Sequence, residues 1–497
     1  MIISTHKDEQ WCSSSSMKID NQQSDFCTSR ENQEEYFVMK MKKLLALLLS
    51  ATMTVGMLAG CGGSQEAAAP AATEEAAPAA EEEAPAADEE APAAEASGEV
   101  EEITFMVWDD LAATEDLISK GYADSIERFN KDFEGKYHCT PITTNLEEYY
   151  TKLNALVAAG ETPDVFIVSP GANMNDYALT GVAAPIDQYL EADGWKETFT
   201  SDAVFAGSTY DDGIYAVPLN IAAACVFYNT EMFEKAGASV PKTFDELLES
   251  CQKLQDAGYT PITISAGTAW CLSMVAGYLC DRNGLVLDDI KEHKTDWKDE
   301  KVINAGKQIQ QLSKYFQKTA AGDDNDIATA AFYNGEAAIL IQGSWAIGQI
   351  NGSCAEGFAD KVGVFAFPAV EGGNPDANRV IAKSDSLMMS ASTKHPEAAV
   401  QLMKYFVDET AQKYTAEIGG KIPVTNVEYD MEVAPPELKY VMDVFKNASS
   451  TFGFYNESLV DTEAGSTFDN CFVEIFKGED PATALDPIQE YYEMNVW

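Results

Sequence analysis

The chain reads as an α/β protein built from more than one folding unit. Three observations predict this. Residues 101–497 alternate short apolar runs with amphipathic helical stretches, the pattern of strands and helices stacked in layers. A length of 497 residues, 46% hydrophobic, exceeds what one core usually organises. No Pro/Gly-rich linker cuts 101–497 into sequential halves, so a chain with two units must cross between them more than once.

The elements follow in order. Val100–Val107 is expected as a first strand. Asn145–Ala159 is expected as a helix, with Asn145 as its cap, Leu153, Leu156 and Val157 on one face, and Gly160 as its stop. Asp164–Val168 has the composition of a buried strand. Thr243-Phe244-Asp245-Glu246 after Pro241 is a capping box, opening a helix with Leu247, Leu248, Cys251 and Leu254 inward. Ala337–Ile341 and Val362–Phe367 are expected strands. Pro396 opens a helix that carries Ala399, Leu402, Met403 and Phe406, closed by Gly419-Gly420.

The first hundred residues differ in kind. From Met39, Lys40, Lys42 and Lys43 precede the apolar run Leu44–Leu58, which is short for a membrane span and has the layout of a secretory signal. It ends in Leu58-Ala59-Gly60-Cys61, which resembles the lipobox of bacterial lipoproteins. That resemblance implies a signal over 39–60, cleavage before Cys61 and a diacylated thiol. Polar, Ser-rich residues 1–38 are then expected to be a non-native upstream extension. Residues 61–100 contain 16 Ala, 4 Pro, 11 acids and no base. Few large apolar side chains are present to offset the entropy of ordering, and Pro70, Pro78, Pro85 and Pro92 interrupt any helix. A disordered acidic tether is expected there.

The formal charge is −48, and residues 101–497 keep 27 bases against 63 acids. Such a chain is repelled by phosphate backbones, which argues against nucleic acid as a partner. Seven cysteines remain in 101–497, an odd number with no CxxC pair, so no disulfide framework is expected. No HExxH, GxSxG or phosphate-binding GxxxxGK[ST] occurs. Neither a metal site nor a cofactor is expected.

What recurs is an aromatic beside small or polar residues at the ends of strands: Trp108-Asp109-Asp110, Gly343-Ser344-Trp345, Trp270 and Phe452-Gly-Phe-Tyr455. Aromatic faces accept the C–H face of a pyranose, while carboxylates and amides hold its hydroxyls. Ligands also bind at strand ends in α/β sheets. Each aromatic equally suits a core.

Five segments in order resemble one family. They are Thr162-Pro-Asp-Val-Phe166 with Gly181–Asp187; Asp212-Gly-Ile-Tyr-Ala-Val-Pro218; Phe227-Tyr-Asn229 through Gly237; Pro241-Lys-Thr-Phe-Asp-Glu-Leu247; and Phe332–Ala338 with Gly343-Ser-Trp345. Over 101–497 the chain is similar to the extracellular solute-binding proteins of carbohydrate ABC transporters, the maltose-binding-protein-like group. The resemblance implies a two-lobed periplasmic-binding-protein-like fold with hinge strands and a ligand cleft between lobes. Lobe one is expected at 101–216 plus 387–425, and lobe two at 217–386 plus 426–497. It further implies a monomeric, non-enzymatic receptor, lipid-anchored outside the bacterial membrane, that hands a mono- or oligosaccharide to permease subunits.

By that resemblance Trp345 stacks on a sugar ring, and Asp110, Asn220 and Asp385 bind hydroxyls. Trp270, Trp108 and Tyr455 are further candidates, Trp108 being equally suited to packing beneath its lobe. Asp109 is expected to face solvent. Where the family often has glycines before the Asp385 position, this chain has Ala382-Lys383-Ser384. Two alternatives stay open: a receptor for a polyamine or a metal complex, which would suit the acidic charge, and an extracellular glycoside hydrolase.

Overall fold

The computed structural model describes residues 100–497 apart from 114, 115 and 212. The signal, Cys61 and the tether up to residue 99 lie outside the described residues, as does Asp212 of the second motif.

The first sheet has the order β2-β1-β3-β12-β6. It contains β1 (Glu101–Val107), β2 (Tyr137–Thr143), β3 (Val165–Val168), β6 (Ala216–Pro218) and β12 (Ser386–Met389). β1 runs parallel to β2 and β3, while β12 is antiparallel to both β3 and β6. All four residues of β3 are buried, as expected of a central strand covered on both faces. The covers are Ile126 and Phe129, Tyr149 and Leu153, and Leu402, Met403 and Phe406, with Phe105 and Phe406 4.9 Å apart. Asp164 pins this sheet: Thr104 donates to it from backbone and hydroxyl, and Thr393 from its hydroxyl. A small ribbon, β4 (Thr209–Tyr210) and β5 (Gly213–Ile214), lies beside it in sequence.

The second sheet follows β13-β11-β7-β9-β8, with β10 also paired to β7. Its strands are β7 (Ala222–Asn229), β8 (Thr260–Thr263), β9 (Ala337–Gly343), β10 (Val362–Phe365), β11 (Val380–Lys383) and β13 (Thr451–Phe452). One face buries the helices Ala269–Arg282, Glu300–Leu312 and Thr462–Lys477; the other buries Ile347, Ile350, Leu438 and Val441. The seven described cysteines are unpaired, six of them buried.

Sheet membership alternates along the chain. The path leaves the first sheet between β6 and β7, returns between β11 and β12, and leaves again after Ile422 pairs with Ile221. Residues 219–221, 384–385 and the 420s are therefore the crossings.

Local signals account for most elements. Asn145 accepts from Glu148 N at 2.9 Å and Gly160 closes that helix at φ 74°, a conformation glycine adopts without cost. The Thr243/Glu246 capping box is complete. One element departs from expectation: the helix opened by Pro396 stops at Tyr405, and a second runs from Glu409 to Glu417. Asp408 causes the restart. Its side chain accepts from Ala411 N at 2.8 Å and pairs with Arg128 at 2.6 Å, a charge-assisted cap stronger than simple helix continuation.

In the second half's core, Asp281 and Arg282 are fully buried neighbours, 2.5 Å apart, and Arg379 also pairs with Asp281. The Arg282 guanidinium donates to the carbonyls of Arg379 (2.7 Å) and Phe367 (3.3 Å). Removing one member of such a set leaves a buried charge without compensation. Asp281→Ala should lower unfolding free energy by about 3–5 kcal/mol in urea titrations; a loss below about 1 kcal/mol would show that water reaches Arg282.

Candidate functional site

A cavity of about 1010 Å³ lies where strand ends of both sheets meet the crossings. Trp108-Asp109-Asp110 enters it from the end of β1, Thr143–Glu147 from the end of β2, and Ser169 from the end of β3. Trp345 enters after β9, Lys383 and Asp385 from the return crossing, and Asn456, Glu457 and Asp469 from the C-terminal segment. Parallel strands place their carboxyl ends on one edge, which is where such sheets form binding crevices.

The aromatic wall is built around Trp345. Its ring lies 5.8 Å from that of Trp270, tilted by 66°, and 6.0 Å from that of Phe454. Gly343 makes this possible: a Cβ there would penetrate the Trp345 ring. Ser344 is buried and its hydroxyl accepts from Ala223 N at 3.3 Å, holding the turn against β7. The helix Ala346–Ser353 starts directly after Trp345, without a side-chain cap. Opposite, Trp108 lines the cavity and also packs edge-on against Tyr149 at 5.1 Å, so it serves wall and core together.

The polar wall has few partners within the protein. Both indole N–H groups, of Trp270 and Trp345, are buried with no acceptor. Asp109 Oδ2, Asp469 Oδ1, Glu457 Oε2 and Asn456 Oδ1 are buried acceptors without a well-formed hydrogen bond, although the hydroxyls of Ser119, Ser273 and Ser169 lie close enough to lower the first three carboxyls. Buried polar groups are almost always satisfied in folded proteins, so these six atoms, counted apart from Asp385 Oδ1 in its ion pair with Lys383, mark a surface shaped for a ligand with both hydroxyl donors and acceptors.

Charge is lopsided. Eight carboxylates line the cavity, against Lys383 and Lys421. Burial, then repulsion from Asp116 and Asp385, raises Asp109 to about 7, despite opposing attraction from Lys421. Burial likewise raises Asp469 to about 7, assisted by Glu457 and resisted by hydrogen bonds from Ser273 and Asn456. Glu457 is raised by burial, with Lys383 opposing.

The expected site residues separate on inspection. Trp345, Trp270, Trp108, Asp110 and Asp385 all line the cavity. Asp110 does so at its exposed lip, where one oxygen is used by Ala112 N at 3.0 Å. Asn220 does not line it. It is buried in the crossing, beside Tyr122, because Leu219 N bonds Asp385 O and Ile221 bonds Ile422, which turns the intervening side chain inward. Tyr455 is a core residue, packed on Phe452 and Phe468 with its hydroxyl donating to Leu285 O; its neighbours Asn456 and Glu457 face the cavity instead. Asp109 is also corrected: it is not turned to solvent but lines the cavity with Oδ2 buried.

Sequence reasoning missed Glu457, Asn456, Asp469, Lys421 and Lys383 as cavity residues. The polar pair after the Phe452–Tyr455 cluster was a usable signal for the first two. Nothing local separates Asp469 from Glu463 and Glu474 on the same helix.

Three contacts join the two halves around the cavity. Thr268 Oγ1 donates to Glu147 at 3.1 Å, Thr462 Oγ1 to Asp176 at 3.0 Å, and Lys383 Nζ to Ser169 Oγ at 3.3 Å.

Among known proteins, a family model described as bacterial extracellular solute-binding protein matches residues 113–413. An uncharacterised ABC transporter extracellular-binding protein of Pyrococcus horikoshii is 26% identical over 407 residues, 78% of this chain and 81% of its own. The multiple sugar-binding protein of Streptococcus mutans is 25% identical, over 62% of this chain and 73% of its own. The maltotriose-binding protein of Pyrococcus abyssi is 24% identical, over 66% and 68%. Among solved structures, a chain from work on xylan utilisation by Caldanaerobius polysaccharolyticus superposes with a TM-score of 0.73 at 24% identity, covering 78% of this chain and 99% of that one. A chitin oligosaccharide binding protein gives 0.72 at 23%, covering 80% and 99%.

The raised carboxyls carry a pH signature. An unfolded Asp releases its proton near about 3.9, whereas Asp109 and Asp469 hold theirs in the fold to about 7. Between those values the folded state binds the extra protons, so stability falls as pH rises through the window. Asp109→Asn and Asp469→Asn should each flatten that fall in denaturation free energies measured without ligand. Slopes unchanged in both variants would mean that the carboxyls ionise in the acid range.

Proposed function

Because the chain belongs to the bacterial extracellular solute-binding protein family, we propose that it is the carbohydrate receptor of an ABC importer. It takes an oligosaccharide into the cleft and delivers it to membrane permease subunits. The observation that carries this reading is the chemistry of the cavity wall. Two tilted tryptophans offer apolar faces, and around them buried N–H donors and carboxylate or amide acceptors lack well-formed hydrogen bonds within the protein. A pyranose matches that surface, with C–H groups for the rings and hydroxyls that both donate and accept. The volume, about 1010 Å³, lies at the upper end of ordinary ligand pockets of roughly 300–1,000 Å³, which favours several sugar rings over one. Names among the similar proteins, a maltotriose-binding and a multiple sugar-binding protein, support the same class.

The two sheets with their cores support two lobes near 101–216 plus 387–425 and 217–386 plus 426–497, with β6 carrying the first to Pro218 and β12 rejoining it at Ser386, and the crossings acting as the hinge. Closure of one lobe on the other would order the cleft around the ligand. The lipobox-like Leu58–Cys61 and the acidic stretch beyond it support an anchor and a tether holding a monomeric receptor at the outer face of the membrane. A second reading has one observation in its favour: eight carboxylates against two lysines would also suit a polyamine.

A thermal-shift screen separates the two. Maltotriose, raffinose, a xylo-oligosaccharide or N,N′,N″-triacetylchitotriose should raise the melting temperature, while spermidine should not; the reverse result sinks the carbohydrate reading. Trp345→Ala should then weaken the responding sugar at least tenfold by calorimetry, about 1.4 kcal/mol. Affinity left intact would move the stacking surface away from Trp345.

A further inference from the structure

Lys383 stands where the two halves meet, on the last residue of β11 just before the return crossing. Its ammonium has three donors and three acceptors around it. Nζ lies 3.3 Å from Ser169 Oγ, 3.2 Å from Glu457 Oε1 and 3.1 Å from Asp385 Oδ1. Ser169 follows β3 of the first sheet, whereas Glu457 follows β13 of the second. Nζ also lies over the Trp345 ring at 5.9 Å and the Phe454 ring at 5.2 Å. The side chain is only 15% exposed.

This arrangement leaves the cation enclosed by protein groups, and leaves one oxygen of its main partner unused. Glu457 Oε1 is bound to Lys383, but Oε2 is buried, lines the cavity with the rest of the residue, and has no well-formed hydrogen bond. Resting on the carbohydrate reading above, we propose that Lys383 is a positioning residue. It is not a ligand contact: it holds Glu457 as a fixed carboxylate whose free oxygen accepts a sugar hydroxyl, and it lies over the Trp345 ring.

The electrostatics agree with the geometry. Burial by itself would lower the Lys383 ammonium, yet Asp385 and Glu457 outweigh it and hold the group well above the usual lysine range. Glu457 is pushed up by burial and by Asp385, and Lys383 is the main force keeping it down. The other titratable groups in this neighbourhood are Tyr150, which feels both Lys383 and Glu457, and Asp469, which feels Glu457. Without the ammonium, Glu457 would sit buried among acids and take up a proton.

Two measurements test this. In ligand-free protein carrying 13C-labelled Glu carboxyls, with Glu457→Gln assigning the resonance, Lys383→Met should move the Glu457 titration midpoint upward by at least tenfold in proton concentration. Lys383→Arg, which keeps the charge, should restore most of it. A midpoint unmoved in Lys383→Met, or moved equally in both variants, overturns the assignment. Lys383→Gln serves in the same role if the Met variant melts early. The second measurement is a cycle of Lys383→Met, Glu457→Gln and the pair, titrated with the four neutral oligosaccharides named above. If Lys383 acts through Glu457, each single variant loses about tenfold and the double loses no more than the weaker binder of the two. Losses that multiply would show that Lys383 touches the sugar directly, and that overturns the positioning role. Absence of any sugar binding in the unaltered protein counts against the carbohydrate reading alone, and the titration still decides whether Lys383 holds Glu457.

Discussion

The crossings between the sheets are the constraint on which the site depends. The chain passes from one sheet to the other at residues 219–221, 384–385 and in the 420s, and these three segments are tied to one another by backbone. Leu219 N bonds Asp385 O, and Ile221 and Ile422 bond each other in both directions. Gln412 adds a side chain that donates to Leu219 O and accepts from Val424 N. Because these segments are short and tied to one another, the strands that leave them have little choice of angle. β6 and β12 must lie side by side in one sheet, as β7 and β11 must in the other. Lys383, Asp385 and Lys421 thus reach the cavity from the ties themselves.

A site placed on crossings has an energetic consequence. A buried polar atom without a partner costs about 1–3 kcal/mol, and six such atoms surround the cavity. Trp345 is wedged on Gly343 and Glu457 is held by Lys383, so these two side chains have little freedom to turn away from the cavity. The unmet hydrogen bonds are a standing preference for any molecule able to complete them. Rigid walls also mean that the ordering cost of binding falls on lobe movement rather than on side chains. Contacts such as Thr268 with Glu147 and Thr462 with Asp176 are hydrogen bonds that each include an exposed partner, Glu147 and Thr462, weak enough to form and break if the halves move.

How far the sequence discloses this molecule depends on how local each signal is. Caps, capping boxes and strand alternation act over four or five residues, so the helix at 146–159 and the one opened by Thr243 were legible to within a residue. The break at Asp408 was not, because half of its cause is Arg128, 280 residues away. The cavity shows the same division. Trp345 and Trp270 stood out as aromatics beside small or polar residues, although Trp270 sits at a helix start rather than a strand end. Asp109 and Asp110 were adjacent and equally acidic, and only the fold shows that the first turns inward while the second caps its own turn. Tyr455 and Glu457 differ by two residues and by everything around them: the tyrosine ring packs on Phe452 and Phe468, and Lys383 calls the carboxylate to the other side.

The acid-rich composition of the chain finally acquires a specific meaning inside the cleft. Net charge over the surface favours solubility and says little about ligand. At the cavity, eight carboxylates face two lysines. One of those lysines is enclosed by Ser169, Glu457 and Asp385, and the other lies against Asp109. A uronate or a phosphorylated sugar would bring another negative charge among these acids, with Lys421 the cavity lysine placed to meet it. Hydroxyls bring no charge, and they satisfy the very oxygens that the fold leaves open. A neutral, hydroxyl-rich ligand is therefore one that these walls can take up without adding a buried charge.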